Sequence, residues 1–100
     1  MTVRVAINGF GRIGRSILRA LATSRTPTGI EIVRINDVAP LVTCAYLFEF
    51  DSVFGPYPGR VGMRPGALAV DGRIIPFTHA PDLSTLDLAV RSGAAIDVEF

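Results

Sequence analysis

Apolar residues in this chain fall into short runs whose spacing changes character several times. Val3 to Asn8 reads Val-Arg-Val-Ala-Ile-Asn, a β-branched run closed by Gly9, as in a strand buried on both faces of a parallel sheet. Beyond Gly14, the positions Ile17, Leu18, Leu21 and Ala22 recur at helical spacing. Arg15, Arg19 and Ser24 fall between them on the wetter side, which predicts a helix ending near Ser24. Thr26, Pro27, Thr28 and Gly29 make a turn, and Ile30 to Ile35 is a second β-branched run. Parallel neighbours require a crossover, which is almost always right-handed, so the expected architecture is α/β with a doubly wound parallel sheet.

The rest of the chain is more heavily punctuated. From Pro40 to Phe50, a proline start with Leu41, Ala45 and Phe48 at helical spacing predicts a second helix. Seven glycines and prolines between Asp51 and Asp71 exclude a long helix there, leaving short strands around Gly59 to Met63 and Ala67 to Val70. Asp71-Gly72 is a hairpin-turn dipeptide, after which Arg73 to Thr78 returns as a strand. Pro76 lacks the N–H of a ladder bond, which places that strand at a sheet edge. A short helix is expected over Pro81 to Leu88 and a last strand over Ala94 to Phe100. No internal repeat or linker divides residues 1–100, so one incomplete domain is expected.

Composition narrows the function classes. Half the residues are hydrophobic (49%) and 19% are charged, which excludes disorder. The net charge of +1 is spread along the chain, so no basic block marks a nucleic-acid or anionic-lipid partner. Cys44 and His79 are single representatives of their types, which excludes a disulfide framework and a His/Cys metal cluster. Free cysteine, with no apolar leader or membrane span, suggests a cytoplasmic protein.

The chemistry is concentrated at the first turn. Gly9, Gly11 and Gly14 form Gly-x-Gly-x-x-Gly between the first strand and the first helix. Gly9 permits the tight turn, Gly11 lets the backbone approach a pyrophosphate, and Gly14 lets helix and strand pack closely. The N–H groups at the helix start and its dipole then favour phosphate. Three such glycines can merely mark a turn, but the second strand ends in Asn36-Asp37, about 20 residues past the loop, where a dinucleotide fold needs a carboxylate for the adenosine ribose. The bland alternative for Asp37 is a turn residue or a helix N-cap ahead of Pro40, and one residue can do both. A carboxylate here repels a ribose 2′-phosphate and Val38 brings no compensating charge, so NAD is favoured over NADP.

Val-Arg-Val-Ala-Ile-Asn-Gly-Phe-Gly-Arg-Ile-Gly-Arg, from Val3 to Arg15, resembles the opening of glyceraldehyde-3-phosphate dehydrogenases. Ile35-Asn36-Asp37 and Phe50-Asp51-Ser52-x-x-Gly55 extend the resemblance at matching spacing. It implies a Rossmann-type sheet with the strands in the order third, second, first, fourth. It implies an NAD site in which Gly9, Phe10, Gly11, Arg12, Ile13 and Gly14 surround the pyrophosphate while Asn36 and Asp37 hold the adenosine end. It further implies a homotetrameric oxidoreductase of glycolysis acting on a phosphorylated aldehyde, with cysteine and histidine catalysts beyond residue 100.

Three departures from the family pattern stand out. Ala80 stands where many members have an arginine against the adenine, Phe54 stands where many have histidine, and residues 1–100 stop short of the catalytic half. Cys44 lies in Val-Thr-Cys-Ala-Tyr rather than the family's Ser-x-x-Cys-Thr, and reads as a buried packing residue. His79 reads as a surface residue at a strand end. The competing readings are a truncated nucleotide-binding module without catalysis, which could self-associate, and a segment of an erythrose-4-phosphate dehydrogenase. The Asn-Asp ending of the second strand speaks mildly against the latter.

Overall fold

The computed structural model describes residues 3–26, 28–79 and 98–99. A glycine turn joins β1 (Val3–Asn8) to α1 (Arg12–Thr23), followed by β2 (Ile30–Asn36) and α2 (Leu41–Glu49). Then come the two-residue strands β3 (Phe50–Asp51) and β4 (Gly55–Pro56), the longer β5 (Val61–Arg64), β6 (Ala67–Val70) and β7 (Arg73–Thr78), and finally β8 (Val98–Glu99). Six strands make one mixed sheet in the order β5-β6-β7-β2-β1-β8, with β3 and β4 paired separately. β8, β1, β2 and β7 are parallel neighbours, whereas β5 and β6 join antiparallel beside β7. This is an α/β fold of the Rossmann type.

The core lies between the sheet and the two helices. Val5, Ile7, Ile32, Ile35, Ile75 and Phe77 of the sheet meet Leu18 of α1 and Cys44, Ala45 and Phe48 of α2. α1 is amphipathic and buries only Gly14 and Leu18 completely. α2 is apolar nearly all round: Cys44, Ala45 and Phe48 face inward while Val42, Tyr46 and Leu47 are exposed. Arg15 and Arg19 do not lie free on a wet face. Both are half-buried, and Arg19 donates to the carbonyl oxygens of Phe54, Gly55 and Pro56, tying α1 to the β3–β4 turn.

Pro76 does not place its strand at the sheet edge. β7 is interior, flanked by β6 and β2. The ladder accommodates proline because Pro76 sits opposite Ala67, while Phe77 next to it donates to the Gly66 carbonyl and the parallel pairing with β2 begins only at Ile35 and Phe77. Alternation points the missing N–H toward β2 at a level where no pair has formed. Asp71-Gly72 does turn the hairpin, with φ of 51° and 83° as the tight two-residue form requires.

β5 starts at Val61 rather than Gly59, because the preceding residues are drawn to Asp71. The Arg60 N–H donates to Asp71 Oδ1, its carbonyl accepts from the Asp71 N–H, and any side chain at Gly59 would run into the same carboxylate. The helix expected over Pro81 to Leu88, Ala80, and residues 94–97 and 100 of the expected last strand lie outside the described residues.

Candidate functional site

Each of the three parallel strands β1, β2 and β7 ends in a polar residue, and the register sets Asn8, Asn36 and Thr78 in one row. The Asn36 amide donates to Asn8 Oδ1 at 3.3 Å, and its Oδ1 accepts the Thr78 hydroxyl at 2.7 Å. Asn36 is 2% exposed, so its side chain joins strand ends rather than facing a ligand. Just beyond this row, the Gly9 N–H donates to the Asn36 carbonyl and the Asp37 N–H to the Thr78 carbonyl. The carboxyl ends of three strands are thereby locked together under the glycine turn.

The turn itself is shaped by two glycines in different ways. Gly9 has φ of +96°, a region in which side chains are strained. Gly14 lies so near β1 that a Cβ would stand 2.7 Å from the Gly9 carbonyl oxygen and 2.9 Å from Ile7 Cγ2. Gly11 differs from both, since a Cβ there would meet nothing within 4 Å and would only fill the open space above the helix start. Gly11 is the N-cap of α1, it has no side-chain cap, and the first turn carries no acid. The first intrahelical bond runs from the Arg15 N–H to the Gly11 carbonyl, so the preceding N–H groups of Arg12 and Ile13 have no partner within the helix. Open backbone donors at the positive end of a helix dipole suit a phosphate.

Phe10 is divided between site and core. Its ring is 2% exposed, stacked on Phe48 at 5.9 Å and edge-on to Phe77 at 6.2 Å. Its N–H donates to Asp37 Oδ2 at 2.7 Å and its carbonyl accepts from Arg15 Nη1 at 3.0 Å. Neither the ring nor the N–H of Phe10 is therefore free for a ligand. Arg12 is exposed beside it, and Ile13 is 68% exposed.

Asp37 is bonded through every polar atom it has. Oδ1 accepts the Ala39 N–H at 2.8 Å, the turn role expected from the sequence, and Oδ2 accepts from Phe10. It does not cap α2, whose N-cap is Pro40. His79 Nδ1 lies 2.9 Å from the Asp37 carbonyl, and since a carbonyl only accepts, Nδ1 carries the proton. An ionised carboxylate has about four acceptor sites, so with these two bonds made Asp37 keeps about two more.

Reactive chemistry is not among these groups. Cys44 is 2% exposed and its thiol is pushed up to about 11, first by burial and then by the negative charge of Asp37, so it is a neutral packing residue at pH 7. Among the described residues no group of three or more His, Cys, Asp and Glu could hold a metal ion, and no helix is long and apolar enough to cross a membrane. Asp51 of the Phe50-Asp51-Ser52-x-x-Gly55 stretch accepts the N–H groups of Val53 and Phe54, which hold its carboxyl below the ordinary range. What the turn and the strand ends offer is open backbone donors, a carboxylate with spare acceptor sites and a floor fixed by hydrogen bonds.

Sequence reasoning placed His79 correctly at the surface after a strand, without its bond to Asp37, and missed the parts played by Asn8, Arg15 and Thr78. Asn8 and Thr78 were visible as the polar terminal residues of apolar strands. Arg15 and His79 left no comparable signal, because their partners are backbone carbonyls fixed only by the fold.

The residues of the cleft fit a dinucleotide, and comparison with known proteins agrees. Residues 3–98 match the family profile described as glyceraldehyde 3-phosphate dehydrogenase, NAD binding domain. Similar proteins include the glyceraldehyde-3-phosphate dehydrogenase of Xanthobacter flavus, 61% identical over 61 residues, which are 61% of this chain and 18% of that protein. Glyceraldehyde-3-phosphate dehydrogenase 1 of Streptomyces avermitilis is 43% identical over 96 residues, 96% of this chain and 25% of that protein. The chain therefore spans a quarter or less of the length of these relatives. It belongs to the glyceraldehyde 3-phosphate dehydrogenase NAD-binding domain family, and its cofactor is NAD.

Proposed function

We propose that this chain supplies the NAD-binding part of an oxidoreductase that converts D-glyceraldehyde 3-phosphate, NAD and inorganic phosphate to the acyl phosphate and NADH. The observation that carries the reading is the contact between Asp37 and Phe10, which brings the ribose acceptor onto the same turn as the open N–H groups of α1. The backbone N–H groups of Arg12 and Ile13 take the pyrophosphate. Gly9 and Gly11 leave room for its approach, Gly14 sets the helix against the strand, and Phe10 anchors the turn in the core. Asp37 takes the adenosine ribose, and Asn36 keeps Asp37 in place from below. When bound, NAD supplies the hydride acceptor.

The aldehyde, the nucleophilic cysteine and the general base belong to the catalytic part that the family resemblance implies, and so does assembly into a homotetramer. A cytoplasmic setting agrees with a reduced, buried Cys44. Calorimetric titration of NAD and NADP onto the chain tests the site. NAD is expected to bind more tightly by about 1 to 3 kcal/mol, the scale of charge-assisted hydrogen bonding against a repelled phosphate. Equal affinities would overturn the assignment of Asp37 to the ribose.

A further inference from the structure

We infer that Arg15 and Asp37 form a clamp on the peptide groups of Phe10, so that Arg15 is a positioning residue of the NAD cleft and Asp37 has a second task beside the ribose. The inference rests on the reading of the cleft as a dinucleotide site, and adds how that cleft is held ready before the cofactor arrives. Phe10 is seized at three points. A carboxylate from 27 residues along the chain takes its N–H at 2.7 Å, a guanidinium five residues along takes its carbonyl at 3.0 Å, and Phe48 and Phe77 hold its ring. The negative group sits at the N–H end and the positive group at the C=O end, so both bonds are charge-assisted.

The need for a clamp follows from the neighbours. Phe10 stands between Gly9 and Gly11, which bring no side chain to limit the turn, so apart from the Gly9 N–H bond to Asn36 and the Arg15 N–H bond to the Gly11 carbonyl the turn is held through Phe10 itself. Glycine carries the largest backbone entropy of any residue, and a ligand that had to order this turn would bind more weakly for it. Fixing the central residue removes most of that freedom beforehand. Arg15 itself shows what the place demands. Its Nε is buried without a hydrogen-bond partner, a penalty a methionine of similar length would avoid, so the guanidinium is there for what Nη1 does. The clamp and ribose recognition do not compete, because each Asp37 oxygen spends one acceptor site on the backbone and keeps another.

The test separates the clamp from ribose recognition by removing the hydroxyls from the ligand. ADP and 2′,3′-dideoxy-ADP are titrated onto the wild-type chain, Arg15→Met, Arg15→Lys and Asp37→Ala. NMR follows the Gly11 amide nitrogen, which shares its peptide with the Phe10 carbonyl, and the exchange rate of the Phe10 N–H. The clamp requires that Arg15→Met shift the Gly11 nitrogen, speed Phe10 exchange and weaken both ligands by the same factor, about fivefold for one hydrogen bond. Asp37→Ala should weaken the dideoxy ligand as well, although no hydroxyl remains to be recognised. Arg15→Lys, which keeps one donor and the charge, should recover most of the affinity and the Gly11 shift together, and it decides the matter if Arg15→Met does not fold.

Dideoxy-ADP binding equally to all four proteins would overturn the clamp while leaving the dinucleotide reading intact. So would a lysine variant that restores affinity but not the Gly11 shift, since Arg15 would then act as a bare charge on the phosphates. Failure of the wild type to bind NAD or ADP would remove the dinucleotide reading instead, and the Phe10 and Gly11 signals would still judge the clamp.

Discussion

Gly14 and Gly9 lie so close that a methyl group on the first would stand 2.7 Å from the carbonyl oxygen of the second. In an ordinary helix interior, glycine to alanine stabilises by about 1 kcal/mol. Here the sign reverses, because both the Gly9 backbone and the Ile7 branch 2.9 Å away are held by the sheet. Gly14→Ala is expected to destabilise by about 1 to 3 kcal/mol, the range of overpacking. Urea denaturation checks it, and a raised midpoint would refute it.

Asp37→Ala should narrow the difference between NAD and NADP. The variant loses the ribose acceptor that favours NAD and the negative charge that repels a 2′-phosphate, so NAD weakens while NADP changes less. Parallel titrations of both cofactors read the gap directly, and a gap as wide as in the wild type would contradict the role given to this carboxylate.

Cys44 should be inert at neutral pH and a source of alkaline sensitivity. Its folded thiol titrates near 11 instead of 9.0, so between those values the unfolded chain has lost a proton that the folded chain still holds. Stability present below about pH 9 is therefore lost as pH rises toward about 11. Cys44→Ser should flatten that alkaline limb and leave NAD affinity unchanged. Alkylation by iodoacetamide should proceed only as fast as the chain unfolds, and rapid labelling of the folded protein would show the thiol to be accessible after all.

Tyr57 and Asp71 make the matching case in acid. The Tyr57 hydroxyl donates to Asp71 Oδ2 at 2.6 Å, and this bond, followed by that from the Arg60 N–H, holds the Asp71 carboxyl below its ordinary value. The stabilisation is present above the unfolded value of about 4 and is lost as pH falls through the lower folded one. Tyr57→Phe should cost about 1 kcal/mol at pH 7, less than the usual bond to a charged group because Asp71 is exposed and screened by solvent. Thermal melts from pH 7 to 2 should show a smaller drop for the variant, and parallel curves would argue against the bond.

Much of this was legible from spacing alone. The tight turn at Gly9, the close packing at Gly14 and the turn bond of Asp37 are dictated by backbone geometry, so residue type and interval carried them. Asn36 was expected at the adenosine end, and its inward side chain was not legible, because only the register with Asn8 and Thr78 sets it there. Pro76 misled because a proline excludes a hydrogen bond on one side of a strand only, and the chain does not say which side is left unpaired. The Phe10 clamp was illegible for a related reason: backbone donors and acceptors look the same at every position of a sequence.

The position of Pro76 has a mechanical consequence. β7 shares backbone pairs with β2 only at Ile35 with Phe77 and Asn36 with Thr78, and below that point the two strands are joined through side chains, by the Arg73–Glu31 ion pair and by Ile75 and Ile32 in the core. The sheet is tight at the end that carries Asp37 and parted at the other, where a cavity of about 300 Å³ opens between α1 and the β6–β7 hairpin. The hairpin is thus tied to β2 by backbone bonds at one corner and by side chains along the rest of its length. Changes in its length or tilt are taken up in the parted region, and Asp37, fastened at the corner, does not have to follow. The freedom this leaves falls to the exposed positions of the hairpin, such as Gly72, Arg73 and Ile74, because Leu68, Val70, Ile75 and Phe77 are buried in the core.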